Sequence, residues 1–288
     1  MELNNLNNLT ELFLFQYENQ KDKKRILLTS LKEPRVNYSW EETYKCIYKL
    51  SNELSNFINK GDRCLLISEN RPEWFISDFA IMLSEAITVP AYTTYVERDY
   101  EYIIDDCTPS VIFVSNSEQF NKIKSIIKKK SFIKKIFSFE KLDEINDEEY
   151  TYIDTVFSKK EINISKNNLN RNDPACIIYT SGTQGNPKGV ILSHGGILNN
   201  CEGAIEILEP LIKSDQTRFL TWLPLSHSYE HTVQFVQITV SARIFYAESI
   251  EKLIKNMNDC SPEIMTAVPR FYQNLYQKIN ASFKKTKG

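Results

Sequence analysis

Glycine is scarce in this chain, with eight in 288 residues, yet five of the eight fall between Gly182 and Gly196. No Cys-x-x-Cys pair occurs: Cys46, Cys64, Cys107, Cys176, Cys201 and Cys260 are dispersed. That spacing argues against a metal site or disulfide framework, and reads as buried small hydrophobes. Neither charge sign is in excess, with 35 Lys plus Arg against 37 Asp plus Glu and a formal charge of −2. The balance gives no general reason to expect nucleic acid as a partner. No apolar run approaches the roughly 20 residues of a spanning helix. The start, Met1-Glu2-Leu3-Asn4-Asn5, lacks the basic and apolar regions of a secretory signal. The expectation is a cytoplasmic protein without internal repeats.

From Ser39 onward, helical and strand-like patterns alternate. Ser39 and Glu42 have capping-box spacing. Tyr44, Ile47, Tyr48, Leu54, Phe57 and Ile58 follow at helical spacing, with Gly61 suited to the end. Cys64-Leu65-Leu66-Ile67 reads as a buried strand, Pro72 as the first turn of a helix, and Thr88-Val89-Pro90 as the end of a second strand. A helix around 100–104, a strand over 111–114, a lysine-rich helix near 121–129 and a strand near 133–139 continue the series. Such alternation predicts an α/β fold with parallel sheets covered by helices. The polar stretch 143–172 divides the expected organisation into a first α/β subdomain, 1–165, and a second, 166–288. Lysines crowd the segment 122–135 among isoleucines. A solvated helix face beside a buried strand is the favoured reading, with peripheral membrane contact as its rival.

The clustered glycines lie in one loop. Cys176-Ile177-Ile178-Tyr179 leads into Thr180-Ser181-Gly182-Thr183-Gln184-Gly185-Asn186-Pro187-Lys188-Gly189, and Val190-Ile191-Leu192 leads out. Backbone N–H groups freed by glycine and the hydroxyls of Thr180, Ser181 and Thr183 can donate to phosphate oxygens. Lys188 adds a compact positive charge for a polyphosphate. A hairpin turn also favours Gly, Asn and Pro, but does not require three hydroxyls before the first glycine. Pro187-Lys188-Gly189 is not the Gly-Lys-Ser/Thr of a Walker A loop, and Gly182 and Gly185 do not fit Gly-x-Gly-x-x-Gly.

Residues 179–190 resemble the signature loop of the adenylate-forming superfamily, which includes acyl-CoA synthetases, luciferases and peptide-synthetase adenylation domains. Trp222-Leu223-Pro224-Leu225-Ser226-His227-Ser228-Tyr229-Glu230 is similar to the next motif of long-chain fatty acid–CoA ligases. Thr266-Ala267-Val268-Pro269-Arg270-Phe271-Tyr272 and Ser68-Glu69-Asn70-Arg71-Pro72-Glu73-Trp74 resemble other stretches of that subgroup. Two positions depart: Gln184 stands where many members have threonine or serine, and His231 where some have arginine.

The resemblance implies the N-terminal large-domain portion of the adenylate-forming fold. It implies ATP-dependent conversion of a long-chain fatty acid to an acyl-adenylate and then a CoA thioester. Thr180, Ser181, Gly182, Thr183, Gln184, Gly185 and Lys188 would bind nucleotide, Thr183 would contact magnesium, and His227 would act near the carboxylate. Trp222 and Tyr229 are candidate liners of the acyl pocket, although aromatics beside strands often belong to the core. ATP, Mg2+ and CoA are the implied cofactors and co-substrate. Family members continue for roughly as many residues again, so the chain is expected to be a front portion, inactive without a C-terminal half of the same polypeptide. A nucleotide-binding relic and another adenylating enzyme, luciferase-like or specific for short-chain acids, remain as alternatives.

Overall fold

A computed structural model describes residues 3–143, 145, 150–162, 167–180, 187–212 and 216–286. In chain order the strands of the first half are β1 (Ile26–Ser30), β2 (Asn37–Ser39), β3 (Arg63–Ile67), β4 (Ile87–Ala91), β5 (Val111–Val114), β6 (Lys135–Ser138) and β7 (Thr151–Tyr152). Those of the second half are β8 (Pro174–Thr180), β9 (Lys188–Ser193), β10 (Arg218–Thr221), β11 (Arg243–Tyr246) and β12 (Ile264–Met265). The helices are α1 (Leu9–Asn19), α2 (Trp40–Leu54), α3 (Pro72–Leu83), α4 (Glu97–Cys107) and α5 (Ser117–Ile127). They continue with α6 (Ile153–Phe157), α7 (His194–Leu208), α8 (Ser228–Thr239), α9 (Leu253–Cys260) and α10 (Pro269–Thr286).

Two sheets result. One has seven strands in the order β7-β6-β5-β3-β4-β8-β9, the other five in the order β12-β10-β11-β1-β2. Every pairing is parallel except β8 with β9 and β1 with β2, which are antiparallel. The expected parallel sheets are therefore present, each closed at one edge by an antiparallel strand.

Alternate residues of β3 explain the layering. Cys64 and Leu66 enter a core shared with Leu27, Leu28 and Ile244 of the five-stranded sheet, whereas Leu65 and Ile67 pack under α4 and α5 on the opposite face. Side chains two apart share a face, so one strand feeds two cores. The outer face of the other sheet holds a smaller cluster of Leu31, Leu220, Phe245 and Leu253.

Between the sheets, α3 is buried at all twelve positions. A helix enclosed on every side cannot send its polar residues to water. Glu73 accordingly accepts from Arg71 at 2.7 Å, and Asp78 pairs with His231 at 2.8 Å.

The sheets interleave the chain across the break expected near residue 165. β1 and β2 join the sheet of β10–β12, while β8 and β9 complete the first sheet. The polar stretch is pinned where described: β7 extends β6, and Asn8 donates to Asn167 Oδ1 and the Leu169 carbonyl.

The capping box at Ser39 forms, with Ser39 Oγ accepting from Glu42 N at 3.2 Å and Glu42 Oε2 from Ser39 N at 2.8 Å. The helix it starts is shorter than expected. Ser55 Oγ and Asn56 Nδ2 donate to the carbonyls of Asn52 and Glu53, ending α2 at Leu54. Gly61 lies beyond, at φ 81 in the turn before β3.

At the start of α7, Gly195 N donates to the Arg171 carbonyl at 2.8 Å, and an added Cβ would stand 2.8 Å from that same oxygen. The obstacle is backbone and cannot swing aside. Gly195→Ala is expected to destabilise the fold by about 1–3 kcal/mol in urea unfolding. Gly203, also in α7 but with nothing within 4 Å, is expected to tolerate Ala with a gain of about 0.5–1 kcal/mol. Equal stability of the two variants would contradict this packing.

Candidate active site

β8 ends at Thr180 and β9 begins at Lys188, and the two residues face each other across the antiparallel pair. These two antiparallel strands lead into and out of the glycine-rich segment. Thr180 and Lys188 are both exposed, and Lys188 makes no ion pair among the described residues. Ser181, Gly182, Thr183, Gln184 and Gly185 lie outside the described residues. An exposed lysine opposite an exposed threonine, at the C-terminal end of a strand in a largely parallel sheet, suits an anion.

The same C-terminal edges, from both sheets, frame a crevice of about 390 Å³. Ser68 and Asn70 follow β3, Tyr92 follows β4, Trp222 and Ser226 follow β10, and Glu248 follows β11. Asn70 clasps the two sheets together: its Nδ2 donates to the Leu223 carbonyl at 2.6 Å, and its Oδ1 accepts from Leu225 N at 3.0 Å. Trp222 lines the crevice, donates through Nε1 to the Thr266 carbonyl at 2.6 Å, and packs on Phe271 with centroids 5.1 Å apart. Thr266 Oγ1 in turn donates to Glu230 Oε2 at 2.6 Å. Trp74 meets His231 edge-on at 5.2 Å. Thus the segments 68–74, 222–230 and 266–272, far apart in sequence, interlock at one end of the molecule.

His227 is exposed and caps α8 with its own ring, Nδ1 accepting from Tyr229 N at 3.2 Å. With Nδ1 engaged as acceptor, a neutral ring carries its proton on Nε2, which stays free to donate. Tyr229 is 51% exposed, so it is no core residue. His194, next to the loop, is buried; its Nδ1 accepts from Leu9 N at 3.3 Å, and burial lowers it to about 4. It is a structural histidine. All six cysteines are free and buried, and burial raises the Cys201 thiol to about 12, which leaves it unreactive.

Sequence reasoning did not find the polar cluster behind His227. Asp78 Oδ2 accepts from His231 Nε2 at 2.8 Å and from Gln234 Nε2 at 3.1 Å, with Glu230 one residue away on α8. Burial pulls His231 down, but the Asp78 carboxylate outweighs it and raises the ring to about 10. Burial raises Glu230 from 4.5 to about 7, against the opposing hydrogen bond from Thr266. An acid raised on folding loses its proton first in the unfolded chain, so its contribution to stability falls as pH rises from about 4.5 to about 7. Glu230→Gln should abolish that slope and stabilise the protein at pH 8 by up to about 3 kcal/mol. Urea titrations across this pH range check it. A persistent difference in slope of zero between variant and wild type would contradict it.

The chain belongs to the AMP-binding enzyme family, whose profile matches residues 15–287. Fatty acyl-CoA synthetase A of Dictyostelium discoideum is 30% identical over 259 residues, covering 85% of this chain and 38% of that protein. Long chain acyl-CoA synthetase 3 of Arabidopsis thaliana is 28% identical over 254 residues, covering 83% and 38%. Among solved structures, a long-chain-fatty-acid–CoA ligase from Archaeoglobus fulgidus superposes with TM-score 0.81 at 21% identity, covering 96% of this chain and 54% of that one. The N-terminal domain of FACL13 from Mycobacterium tuberculosis gives 0.78 at 17% identity, covering 94% and 65%. These structural likenesses concern the fold. The chain spans about two fifths of the length of the curated relatives it matches, 38% in both cases above.

Proposed function

We propose that this chain is the front portion of a long-chain fatty acid–CoA ligase, holding part of the site that adenylates the acid. The observation that carries the reading is that segments 68–74 and 222–230 meet at one crevice, with Thr266 of segment 266–272 bonded to Trp222 and Glu230. Three stretches that resemble the same ligases thus meet in space, which supports their serving one site. The named relatives support the acid class.

A carboxylate is a poor electrophile, so it must first be activated. One carboxylate oxygen attacks the α-phosphorus of ATP, the bond to the bridging oxygen breaks, and pyrophosphate leaves. The CoA sulfur then attacks the acyl carbon, loses its proton, and AMP departs. In the first step Lys188 offsets charge on the leaving phosphates. The hydroxyls of Thr180, Ser181 and Thr183, the Gln184 amide and the N–H groups at Gly182 and Gly185 orient them. His227 donates from Nε2 to the carboxylate. Magnesium, when bound, supplies further neutralisation of the phosphates, with Thr183 as the ligand this chain offers. Among the described residues no group of three or more His, Cys, Asp or Glu could hold a metal.

Product analysis tests the reading. The polypeptide read in frame through and beyond Gly288, given palmitate, ATP and CoA, should release AMP and pyrophosphate in step with thioester. Release of ADP and inorganic phosphate would contradict it.

A further inference from the structure

We propose that the lysine-lined groove between α5 and β6 docks the protein on an anionic lipid surface. From Gln119 to Phe139 the chain has seven lysines and no acidic residue, in a protein whose net charge is −2. Two of the seven are neutralised, Lys122 by Glu118 at 3.0 Å and Lys130 by Asp105. Lys134 approaches Asp62 only at 3.9 Å. Lys124 and Lys135 stand over the rings of Phe120 and Phe57 at 5.9 and 5.7 Å. Lys128 and Lys129 have no ion pair among the described residues. Lys124, Lys128, Lys129 and Lys135 thus have no ion pair among the described residues, while the carboxylates of α4 lie on the neighbouring face.

The fold gathers that charge into a shape. Lys124, Lys128, Lys134 and Lys135 line a groove of about 380 Å³ with half-buried Ile127 and Ile133 at its floor. Phe120, Ile123 and Ile126 anchor the other face of α5 in the core, so the helix cannot roll over and bury its lysines. β7 pairs with β6 only at Phe137 and Ser138, which leaves the edge beside Lys135 open among the described residues. The groove runs back from the crevice end of α5 toward the start of β6, and so belongs to a different surface from the candidate active site.

The chemistry favours lipid headgroups over other polyanions. The cations are lysines, flexible point charges that suit a diffuse array of phosphates, with no arginine fork for one fixed phosphate. The aromatic rings nearby already carry lysines or lie in the core, so none forms a platform for stacked bases. No helix among the described residues is long and apolar enough to cross a membrane, so attachment here is adsorption.

The test is co-sedimentation of this chain with vesicles of phosphatidylcholine containing about one-third phosphatidylserine, at low ionic strength. Each free lysine near an anionic surface contributes about a fivefold gain in partitioning. Replacing Lys124, Lys128, Lys129 and Lys135 by Gln should lower it by about 10²–10³-fold, and about 0.5 M salt should do the same to wild type. Replacing the exposed Lys21, Lys24, Lys60 and Lys255 makes the same change in net charge and should leave most of the binding. Equal loss from both sets, binding to pure phosphatidylcholine, or no binding at all would overturn the proposal. So would retention by single-stranded RNA without vesicle binding. Vesicle binding is read without nucleotide or acid, so its failure leaves the ligase reading untouched.

Discussion

Asp78→Ala is expected to cost about 3–5 kcal/mol of folding stability, and His231→Ala a similar amount. Asp78 and His231 are 0% and 1% exposed, and one carboxylate oxygen serves both the His231 ring and Gln234. Removing the carboxylate leaves two donors without partners inside a helix layer that both sheets enclose. Removing both partners should cost much less: Asp78→Leu with His231→Leu is expected to recover most of the loss, because no stranded charge remains. The pH dependence has a definite sign. His231 is raised from 6.5 to about 10, so the pair's contribution is full below about pH 6.5 and is lost as pH rises through about 10. The gap between wild type and Asp78→Ala in urea unfolding should narrow over that window. A gap that widened toward pH 10 would contradict the assignment of charge.

Lys188→Ala should lower affinity for ATP by about 10–100-fold, the range for loss of a charge-assisted contact. It should slow adenylation by about 10²–10³-fold if the contact strengthens as charge builds on the leaving pyrophosphate. Lys188 is exposed and makes no ion pair among the described residues, so the substitution should shift stability by less than about 0.5 kcal/mol. That contrast separates a ligand contact from a structural one. Lys188→Arg keeps the charge on a wider, planar group and should recover binding in part. Nucleotide titration and thermal melting of the same preparations decide it. Unchanged affinity, or lost affinity with a lowered melting temperature, would remove Lys188 from the site.

Local signals in the sequence carried much of this architecture. The capping residues of α2 and the proline at the head of α3 act within a few positions, and both helices begin where those signals predict. What depends on distant partners was not legible. β1 is a short apolar strand whose parallel partner β11 lies more than two hundred residues on, and no local pattern announces that pairing. The interleaving of the two sheets follows from it, so a chain split near 165 does not describe the sheets. Pro72 marks the head of α3, but the burial of that helix on every side follows from its place between two sheets. Asp78 is half of a buried pair whose partner lies 153 residues away, a separation no local pattern spans. The candidate phosphate loop stands out in composition because glycine is so rare elsewhere. That Thr180 and Lys188 face each other across an antiparallel pair required the strand register.

Acid-dependent exchange of pyrophosphate into ATP measures the proposed first half-reaction directly. It should be run with palmitate on this chain alone and on the polypeptide read in frame beyond Gly288. The expected result is silence from the chain alone and exchange from the longer polypeptide, lost on Lys188→Ala. Exchange by the chain alone would show that residues 1–288 suffice for adenylation. Silence from the longer polypeptide, with ATP still bound, would contradict the ligase assignment and leave a nucleotide-binding relic.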